Sequence, residues 1–251
     1  MPQQDDDLTY PGGLTRLNVD LALAKGATIE LPETQTHFLA HVLRAKPGDH
    51  LRVFNGRDGE WRARIAAVTK RAVTLSLDAQ TRPQAGVPDL WLLLAPIKKT
   101  PLDYIVQKAT ELGVARIQPV ITHRTIVERV NSERMTANAI EAAEQSGRLS
   151  VPEIASPIAL DKALAGWSPA RQLLFCDEGG APPIAATLAK RERGPWAILT
   201  GPEGGFDGNE REMLRALKFV LPVSLGPRIM RADTAALAAV TIWQATLGDW
   251  S

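Results

Sequence analysis

The sequence predicts an α/β protein in which a small β-barrel precedes a domain built on a parallel sheet. Two changes of pattern along the chain support this prediction. Residues 17 to 77 contain short alternating apolar runs with little helix, which is typical of a small barrel. From residue 89 onward, continuous apolar runs alternate with helical patterns. Such runs are typical of strands that helices cover on both faces of a parallel sheet.

The first half of the chain contains the turn dipeptides Asn55-Gly56 and Asp58-Gly59 between the apolar runs LRVF and WRARI, which predicts a hairpin. Further strands are predicted at TIELP and AVTLSLD, and a short helix over Glu33 to Leu43. Residues 81 to 88 carry two prolines and a glycine without apolar periodicity, which indicates a domain boundary. We therefore predict a flexible tail at residues 1–15, a barrel at 16–82, a linker at 83–88 and a second domain at 89–251.

The second half is predicted to begin its first helix at Thr100-Pro101, which supply a capping hydroxyl and a first-turn proline, and to end it before Gly113. Asp233 or Thr234 is predicted to cap the last helix. Other helices are predicted to end at Ser146 and to cover 184–190 and 209–217. The strands of this half are predicted at DLWLLLAP, ARIQPV, RQLLFCD, PWAILT and FVLPVSL.

Composition excludes several classes of protein. The net charge of +1 excludes nucleic-acid binding through bulk positive charge, so any RNA contact must come from a local basic surface. Cys176 is the single cysteine, and the four histidines show no zinc-site spacing, so we expect neither disulfides nor a metal. The acidic N-terminus lacks the pattern of a signal peptide, and no apolar stretch approaches a membrane span. These features favour the cytoplasm.

Two glycine-rich loops carry the functional signal. LTGPEGGF, at 199–206, follows the apolar run WAIL, and LGPRIMRADTAAL, at 225–237, follows FVLPVSL. Loops at the carboxyl ends of strands in one parallel sheet mark a shared ligand crevice. The glycine spacing fits neither the dinucleotide fingerprint nor the phosphate loop, which argues against a nucleotide-dependent oxidoreductase. Taken alone, the first loop is equally explained as a tight turn without a ligand.

Together the two loops resemble the SPOUT superfamily of methyltransferases. The segments HVLRAKPGDHLRVFNG, KATELGVARIQPV and EAAEQSGR are similar to the RsmE family within it, and the resemblance runs from about Arg16 to the end. It implies a PUA-like barrel, a C-terminal trefoil knot and methylation of N3 of a uridine in the decoding region of small-subunit (16S) ribosomal RNA. The sequence departs from the commoner family wording at Met230, where leucine is usual, and at Ala232-Asp233, where threonine and glutamate are usual. Exchange of leucine for methionine preserves volume.

The resemblance implies S-adenosylmethionine as the cofactor and assigns its binding residues to the two loops. These are Leu199, Thr200, Gly201, Glu203, Gly204, Leu225, Gly226, Ile229, Met230 and Arg231. Arg231 is the candidate for stabilising the developing negative charge on the base, because a guanidinium stays charged. Glu203 is the candidate base or orienting group, and a carboxylate that accepts hydrogen bonds from the loop is the equally open alternative.

The expected partners are small-subunit ribosomal RNA or the assembled small subunit, and a second copy of the chain. Candidate contacts to the RNA backbone are Arg16, Arg44, Lys98, Arg124 and Arg148, with His37 and Lys99 as weaker candidates. Two other functions stay open. One is another SPOUT activity, such as methylation of a ribose hydroxyl, and the other is a non-catalytic RNA-binding assembly factor.

Overall fold

The protein is described here by a computed structural model covering residues 9–10, 13–127 and 129–251. The chain divides into two compact units. The first contains the residues up to Gly86 together with Ala143–Val151, and the second contains Val87–Ala142 and Pro152–Ser251. The division after Gly86 falls inside the predicted linker. The sequence does not indicate that Ala143–Val151 belongs to the first unit.

The predicted tail is only partly covered by the described residues. Within it, β1 (Thr9–Tyr10) and β2 (Gly13–Leu14) pair antiparallel, and the following Thr15 is buried. The prediction of a flexible tail is therefore wrong for these residues.

The first unit is built on a five-stranded sheet in the order β3-β5-β6-β7-β4. Its pairs are antiparallel except β3 with β5, which is parallel. The alternation of apolar side chains along these strands buries one face, which forms a core of its own for this unit. The strands are β3 (Arg16–Asn18), β4 (Thr28–Glu30), β5 (His50–Phe54), β6 (Glu60–Val68) and β7 (Val73–Arg82).

The hairpin between β5 and β6 is confirmed. Asn55 Oδ1 accepts hydrogen bonds from the backbone N–H groups of Arg57 and Asp58, at 2.9 and 2.8 Å. Gly59 has a φ of +76°, and a Cβ at this position would lie 2.3 Å from the carbonyl oxygen of Arg82. Glycine is therefore required here for both conformation and space.

The predicted helix of the first unit is confirmed with a change of winding. It begins as α1 (Glu33–His37) and continues as a π-helical turn over Phe38–Val42. Arg44, two residues further on, is exposed and has a φ of +54°. Both a π-turn and a left-handed residue other than glycine occur preferentially at functional sites.

The second unit contains a sheet of seven strands, all paired in parallel as the apolar runs predicted. The order is β10-β9-β8-β13-β12-β14, with β11 also paired to β9. The two-residue strands β10 and β11 are too short to give a pattern in the sequence. The implied knot stays a prediction. The strands are β8 (Leu90–Leu94), β9 (Arg116–Ile121), β10 (Glu153–Ile154), β11 (Ile158–Ala159), β12 (Gln172–Cys176), β13 (Trp196–Thr200) and β14 (Val220–Val223).

All but one of the helices that the structure describes after α1 were predicted, and the exception is the helix over Leu160–Ala165. The helices are α2 (Lys99–Glu111), α3 (Ser132–Ser146), α4 (Leu160–Ala165), α5 (Ile184–Leu188), α6 (Gly208–Ala216) and α7 (Ala232–Leu247). None of the helices in the described part of the chain combines the length and the apolar character that crossing a membrane requires.

Two predicted helix caps are wrong. Helix α2 begins one residue before Thr100, because the extended residue at its start is Lys98, with a ψ of 150°. Helix α7 begins directly after Arg231, which is extended with a ψ of 153°, so Asp233 lies in the first turn and does not cap the helix. At α6, by contrast, Asp207 and Glu210 form a full capping box.

Candidate functional site

An open cavity of about 300 Å³ lies at the carboxyl ends of the neighbouring strands β12, β13 and β14. Its walls come from the segments that follow these three strands, together with residues from the first turns of α6 and α7. This volume lies within the range of small-molecule sites, and the carboxyl edge of a parallel sheet is where such sites form. The crevice predicted from the two glycine-rich loops is therefore present.

All but two of the predicted cofactor residues line this cavity. Those that do are Thr200, Gly201, Glu203, Leu225, Gly226, Ile229, Met230 and Arg231. The side chain of Leu199 is fully buried in the hydrophobic core of the second unit. Gly204 also lies outside the cavity lining, and its carbonyl accepts a hydrogen bond from Arg124.

Glycine is structurally required in both loops. A Cβ at Gly201 would lie 2.7 Å from a ring carbon of Phe206, whose ring packs edge-on against Phe175 at 5.0 Å. Gly226 has a φ of +119°, a conformation that side chains disfavour. The loops therefore present their backbone, without side chains, at these two points of the cavity.

We expect Gly201→Ala to destabilise the protein by about 1–3 kcal/mol, because the added methyl group must displace the buried Phe206 ring. Urea-induced unfolding measures the change in the free energy of unfolding. Gly208→Ala is the matched control, because a Cβ there meets nothing within 4 Å and the residue begins α6. Equal effects of the two substitutions would contradict the steric explanation.

The third wall of the cavity, which follows β12, was not predicted from the sequence. Cys176, Asp177 and Glu178 line it, together with Arg211 from α6. The run RQLLFCD was predicted as a strand, but its position beside β13 was not known, so its last residues were not assigned to the crevice. Burial raises the pKa of the Cys176 thiol to about 12, which excludes a thiolate nucleophile at neutral pH.

A network of ion pairs fixes this wall. The side chain of Asp177 has no exposed surface, and its Oδ2 accepts hydrogen bonds from Nε and Nη2 of Arg215 at 2.9 and 2.5 Å. Its Oδ1 accepts a bond from the backbone N–H of Gly179 and lies 3.5 Å from Nε of Arg211. Arg211 in turn donates from Nη2 to Oε1 of Glu178 at 2.8 Å.

Two residues that follow β9, His123 and Arg124, form hydrogen bonds to the first glycine-rich loop and to the start of α6. His123 Nδ1 lies 2.5 Å from Asp207 Oδ2, and the backbone N–H of His123 donates to Glu210 at 2.9 Å. Arg124 donates to the carbonyl of Gly204 at 2.9 Å. His123, Asp207 and Glu210 bring possible metal ligands within 4.8 Å of one another. Because the carboxylates of Asp207 and Glu210 already form the α6 capping box, we interpret the three residues as a structural cluster, here called the clip, that joins the segment after β9 to α6.

The charges of this clip predict that the stability of the protein depends on pH. The hydrogen bond to Asp207 raises the pKa of His123 above 6.5. The hydrogen bond from the Glu210 backbone, followed by that from His123, lowers the pKa of Asp207 below 3.8. The stabilisation from His123 is fully present below pH 6.5 and is lost as the pH rises through its raised pKa. The stabilisation from Asp207 is lost as the pH falls through the lowered pKa of that carboxyl group.

An NMR titration of the histidine rings tests the clip. We expect His123 to titrate above 6.5 in the wild type and closer to that value in Asp207→Asn. Asparagine is a suitable replacement, because it caps a helix about as well as aspartate does. Glu212→Gln, which removes an exposed carboxylate on the same helix as Glu210, is the matched control and should leave the titration of His123 unchanged. An unchanged titration of His123 in Asp207→Asn would contradict the proposed pairing.

Arg16, a predicted RNA contact, has an internal role in the first unit. Its side chain is only 11% exposed, and Nε donates to Glu60 Oε2 at 2.7 Å. Its other nitrogens donate to the carbonyl oxygens of Ala143, Glu144 and Arg148 at 2.7–2.9 Å. Because the guanidinium is committed to these partners, we assign Arg16 a structural role and remove it from the candidate RNA contacts.

The other candidate RNA contacts are divided between the two units. In the first unit Arg44 is exposed, whereas Arg148 is half-buried and donates to the carbonyl of Ser150. In the second unit Lys98, Lys99 and Arg124 are exposed. Their contact with RNA stays a prediction.

Arg231 and Glu203 are the candidate catalytic residues, and both are exposed at the cavity. Arg231 is the extended residue that precedes α7. Glu203 accepts no hydrogen bond from any residue that the structure describes, so its carboxylate is not used to hold the loop. The catalytic assignment of both residues stays a prediction.

Two known families match the chain, and the longer match includes Ala143–Val151, which belongs to the first unit. Residues 85–244 match the family described as an RNA methyltransferase domain, and residues 31–78 match an RNA methyltransferase PUA domain. The fold and the cavity therefore define an RNA methyltransferase with a PUA domain. The expected PUA-like domain and α/β methyltransferase fold are confirmed.

Comparison with individual relatives identifies the family within the RNA methyltransferases. The ribosomal RNA small subunit methyltransferase E of Rickettsia conorii is 35% identical over 231 residues, which cover 90% of this chain and 93% of the relative. The chain belongs to the ribosomal RNA small subunit methyltransferase E family, as the resemblance to RsmE predicted. The enzyme of that name from Neisseria gonorrhoeae, crystallised with S-adenosylmethionine, is 29% identical with a TM-score of 0.86, covering 94% of this chain and 99% of its own. A methyltransferase from Legionella pneumophila, also in complex with this cofactor, is 29% identical with a TM-score of 0.83, covering 94% and 98%.

Proposed function

We propose that this protein transfers a methyl group from S-adenosylmethionine to N3 of a specific uridine in the decoding region of small-subunit (16S) ribosomal RNA. The observation that supports this most strongly is the cavity at the carboxyl ends of β12, β13 and β14, in a chain of this methyltransferase family. The related structures from Neisseria gonorrhoeae and Legionella pneumophila contain S-adenosylmethionine, which supports the same cofactor here.

The residues that line the cavity fit this cofactor. Leu225, Ile229 and Met230 supply apolar surface for an adenine ring, and the glycines at 201 and 226 leave backbone groups accessible to its polar edge. When bound, S-adenosylmethionine supplies a methyl group on a positively charged sulfur that is already reactive. The protein therefore has to align the acceptor atom with that methyl group, and alignment alone removes a large part of the barrier.

N3 of uracil lies between two carbonyl groups and must lose its proton before its lone pair can attack. In our proposal Arg231 stabilises the negative charge that develops on a uracil carbonyl oxygen, because its guanidinium stays charged and donates hydrogen bonds to that oxygen. Glu203 accepts the N3 proton or orients the base. Its exposed carboxylate at the cavity supports this role, since no described residue competes for it.

The target uridine must leave its base pair, because N3 is inaccessible within a helix. We propose that Arg44 and Arg148 of the first unit and Lys98 and Arg124 of the second contact the RNA backbone. The exposure of Arg44 beside the π-helical turn supports its assignment. Binding through such a set of cations should weaken steeply as salt concentration rises.

We further propose that the protein acts as a homodimer in the cytoplasm, where ribosomal subunits are its substrate. Helix α7 supports the dimer. One of its faces is buried in the second unit through Ala236, Val240 and Trp243, and Leu237 and Ile242 are only partly covered. A helix with apolar residues outside its buried face is suited to a two-fold interface.

The test is to incubate the purified protein with S-adenosylmethionine and unmodified small ribosomal subunits, digest the RNA and identify the methylated nucleoside by mass spectrometry. We expect 3-methyluridine, and naked 16S RNA in parallel shows whether an assembled subunit is required. A ribose-methylated nucleoside would indicate a different reaction within the superfamily. Cofactor binding without any methylated product would indicate another substrate, and failure to bind S-adenosylmethionine would favour the RNA-binding assembly factor.

A further inference from the structure

The wall of the cavity that follows β12 carries no net charge. Two carboxylates, those of Asp177 and Glu178, are joined to two guanidinium groups, those of Arg211 and Arg215. Asp177 is fully buried and bonds to Arg215 and Gly179, so it serves to anchor the network. The arginine at 211 connects this anchor to Glu178, whose side chain is 55% exposed. The network thus presents one ordered carboxylate at the cavity.

Glu178 keeps one carboxylate oxygen available. Oε1 accepts the hydrogen bond from Arg211 at 2.8 Å, and no residue in the described ranges donates a hydrogen bond to Oε2. Gly205 of the first glycine-rich loop lies directly beside it, because a Cβ at this glycine would come within 2.8 Å of Oε1. The absence of a side chain at 205 therefore leaves room for the carboxylate at the cavity wall.

We propose that Glu178, held in place by Arg211, recognises the ribose of the cofactor by accepting a hydrogen bond from one of its hydroxyl groups. This inference rests on the proposed function. The charge balance of the wall favours a neutral partner. An ammonium group at Glu178 would face the positive guanidinium of Arg211, and a carboxylate would face the negative charge of Glu178 itself. A ribose hydroxyl is a neutral donor, and acidic residues hold ribose hydroxyls in this way in other α/β nucleotide sites.

Calorimetric titration with cofactor analogues tests the proposal without requiring catalysis. S-adenosylhomocysteine has a neutral sulfur, and its 2′-deoxy and 3′-deoxy forms each lack one ribose hydroxyl. We expect wild-type protein to bind one of the deoxy forms about 10- to 100-fold more weakly than the parent, the range for a hydrogen bond to a charged group. This comparison needs no variant, so a folding defect cannot obscure it.

Glu178→Gln supplies the second half of the test. We expect it to weaken S-adenosylhomocysteine binding by about tenfold and to remove most of the discrimination against the deoxy form, as coupled partners do in a double-mutant cycle. The same weakening should appear with 5′-methylthioadenosine, which keeps the ribose but lacks the amino-acid part. The matched control is Glu212→Gln, an exposed carboxylate on α6 outside the cavity lining, which should leave all affinities unchanged.

The possible results separate this inference from the proposed function. Wild-type protein that binds the parent compound and both deoxy forms equally well would overturn the role of Glu178 alone. An effect of Glu178→Gln that disappears with 5′-methylthioadenosine would also overturn it, because the partner would then be the ammonium group. Wild-type protein that binds neither S-adenosylmethionine nor S-adenosylhomocysteine would overturn the proposed function, and this inference with it.

Discussion

Replacing Arg231 with alanine should lower the rate of methyl transfer about 100- to 1000-fold, the range observed when one donor that stabilises a developing negative charge is removed. Arg231 lines the cavity with an exposed side chain and directly precedes α7. We expect only a small change in cofactor affinity, because the backbone at this position is retained. Single-turnover measurements with saturating cofactor and small ribosomal subunits report the chemical step directly.

Two further variants make the Arg231 prediction specific. Arg231→Lys keeps the charge but loses the two-pronged donor geometry, so it should recover only part of the rate. Arg191→Ala removes an exposed arginine of the same unit that lies outside the cavity and should leave the rate unchanged. A normal single-turnover rate in Arg231→Ala would show that alignment of the substrates is sufficient without this cation.

Replacing Arg16 with alanine should destabilise the first unit by about 3–5 kcal/mol, because it leaves the buried carboxylate of Glu60 without its main partner. The Glu60 side chain is only 8% exposed. The substitution also removes the donors to the three carbonyl oxygens of Ala143–Val151. Denaturant unfolding combined with hydrogen exchange of β3 and β6 measures the loss and locates it in this unit.

Arg44 is the matched control for Arg16, because it is an exposed arginine of the same unit. Arg44→Ala should change the free energy of unfolding by no more than about 0.5 kcal/mol. It should instead make the slope of log K for RNA binding against log salt concentration shallower, by the amount expected for about one phosphate contact. Normal stability of Arg16→Ala together with weaker RNA binding would restore Arg16 to the RNA-contacting set.

Much of the fold was predictable because its signals are local. The β5–β6 hairpin follows from Asn55-Gly56 and Asp58-Gly59, whose conformations are set within a few residues. The parallel sheet follows from continuous apolar runs such as the one at β13, where all five residues are buried. The glycines at 201 and 226 were recognisable because their loops directly follow such runs.

The missed parts depend on which strands become neighbours, which no local pattern encodes. Asp177 and Glu178 reach the cavity because β12 pairs in parallel with both β13 and β14, so its carboxyl end lies between theirs. The His123–Asp207 pair joins residues 84 positions apart. Arg16 was taken for a surface cation because its partner Glu60 and its carbonyl acceptors are distant in sequence. Charged residues in isolation do not reveal whether their partner is a ligand or the protein itself.

The first unit is made of two separate segments of the chain, which limits how the protein can be divided. It is completed by Ala143–Val151, which the chain supplies only after it has passed through β8, β9 and most of α3. A chain ended at the linker would lack the carbonyl acceptors of Arg16 and the helix end that contributes them. The first unit is therefore not contained in one continuous segment of the chain. Grafting it onto another protein, or exchanging it between relatives, would require two separate segments to be moved together.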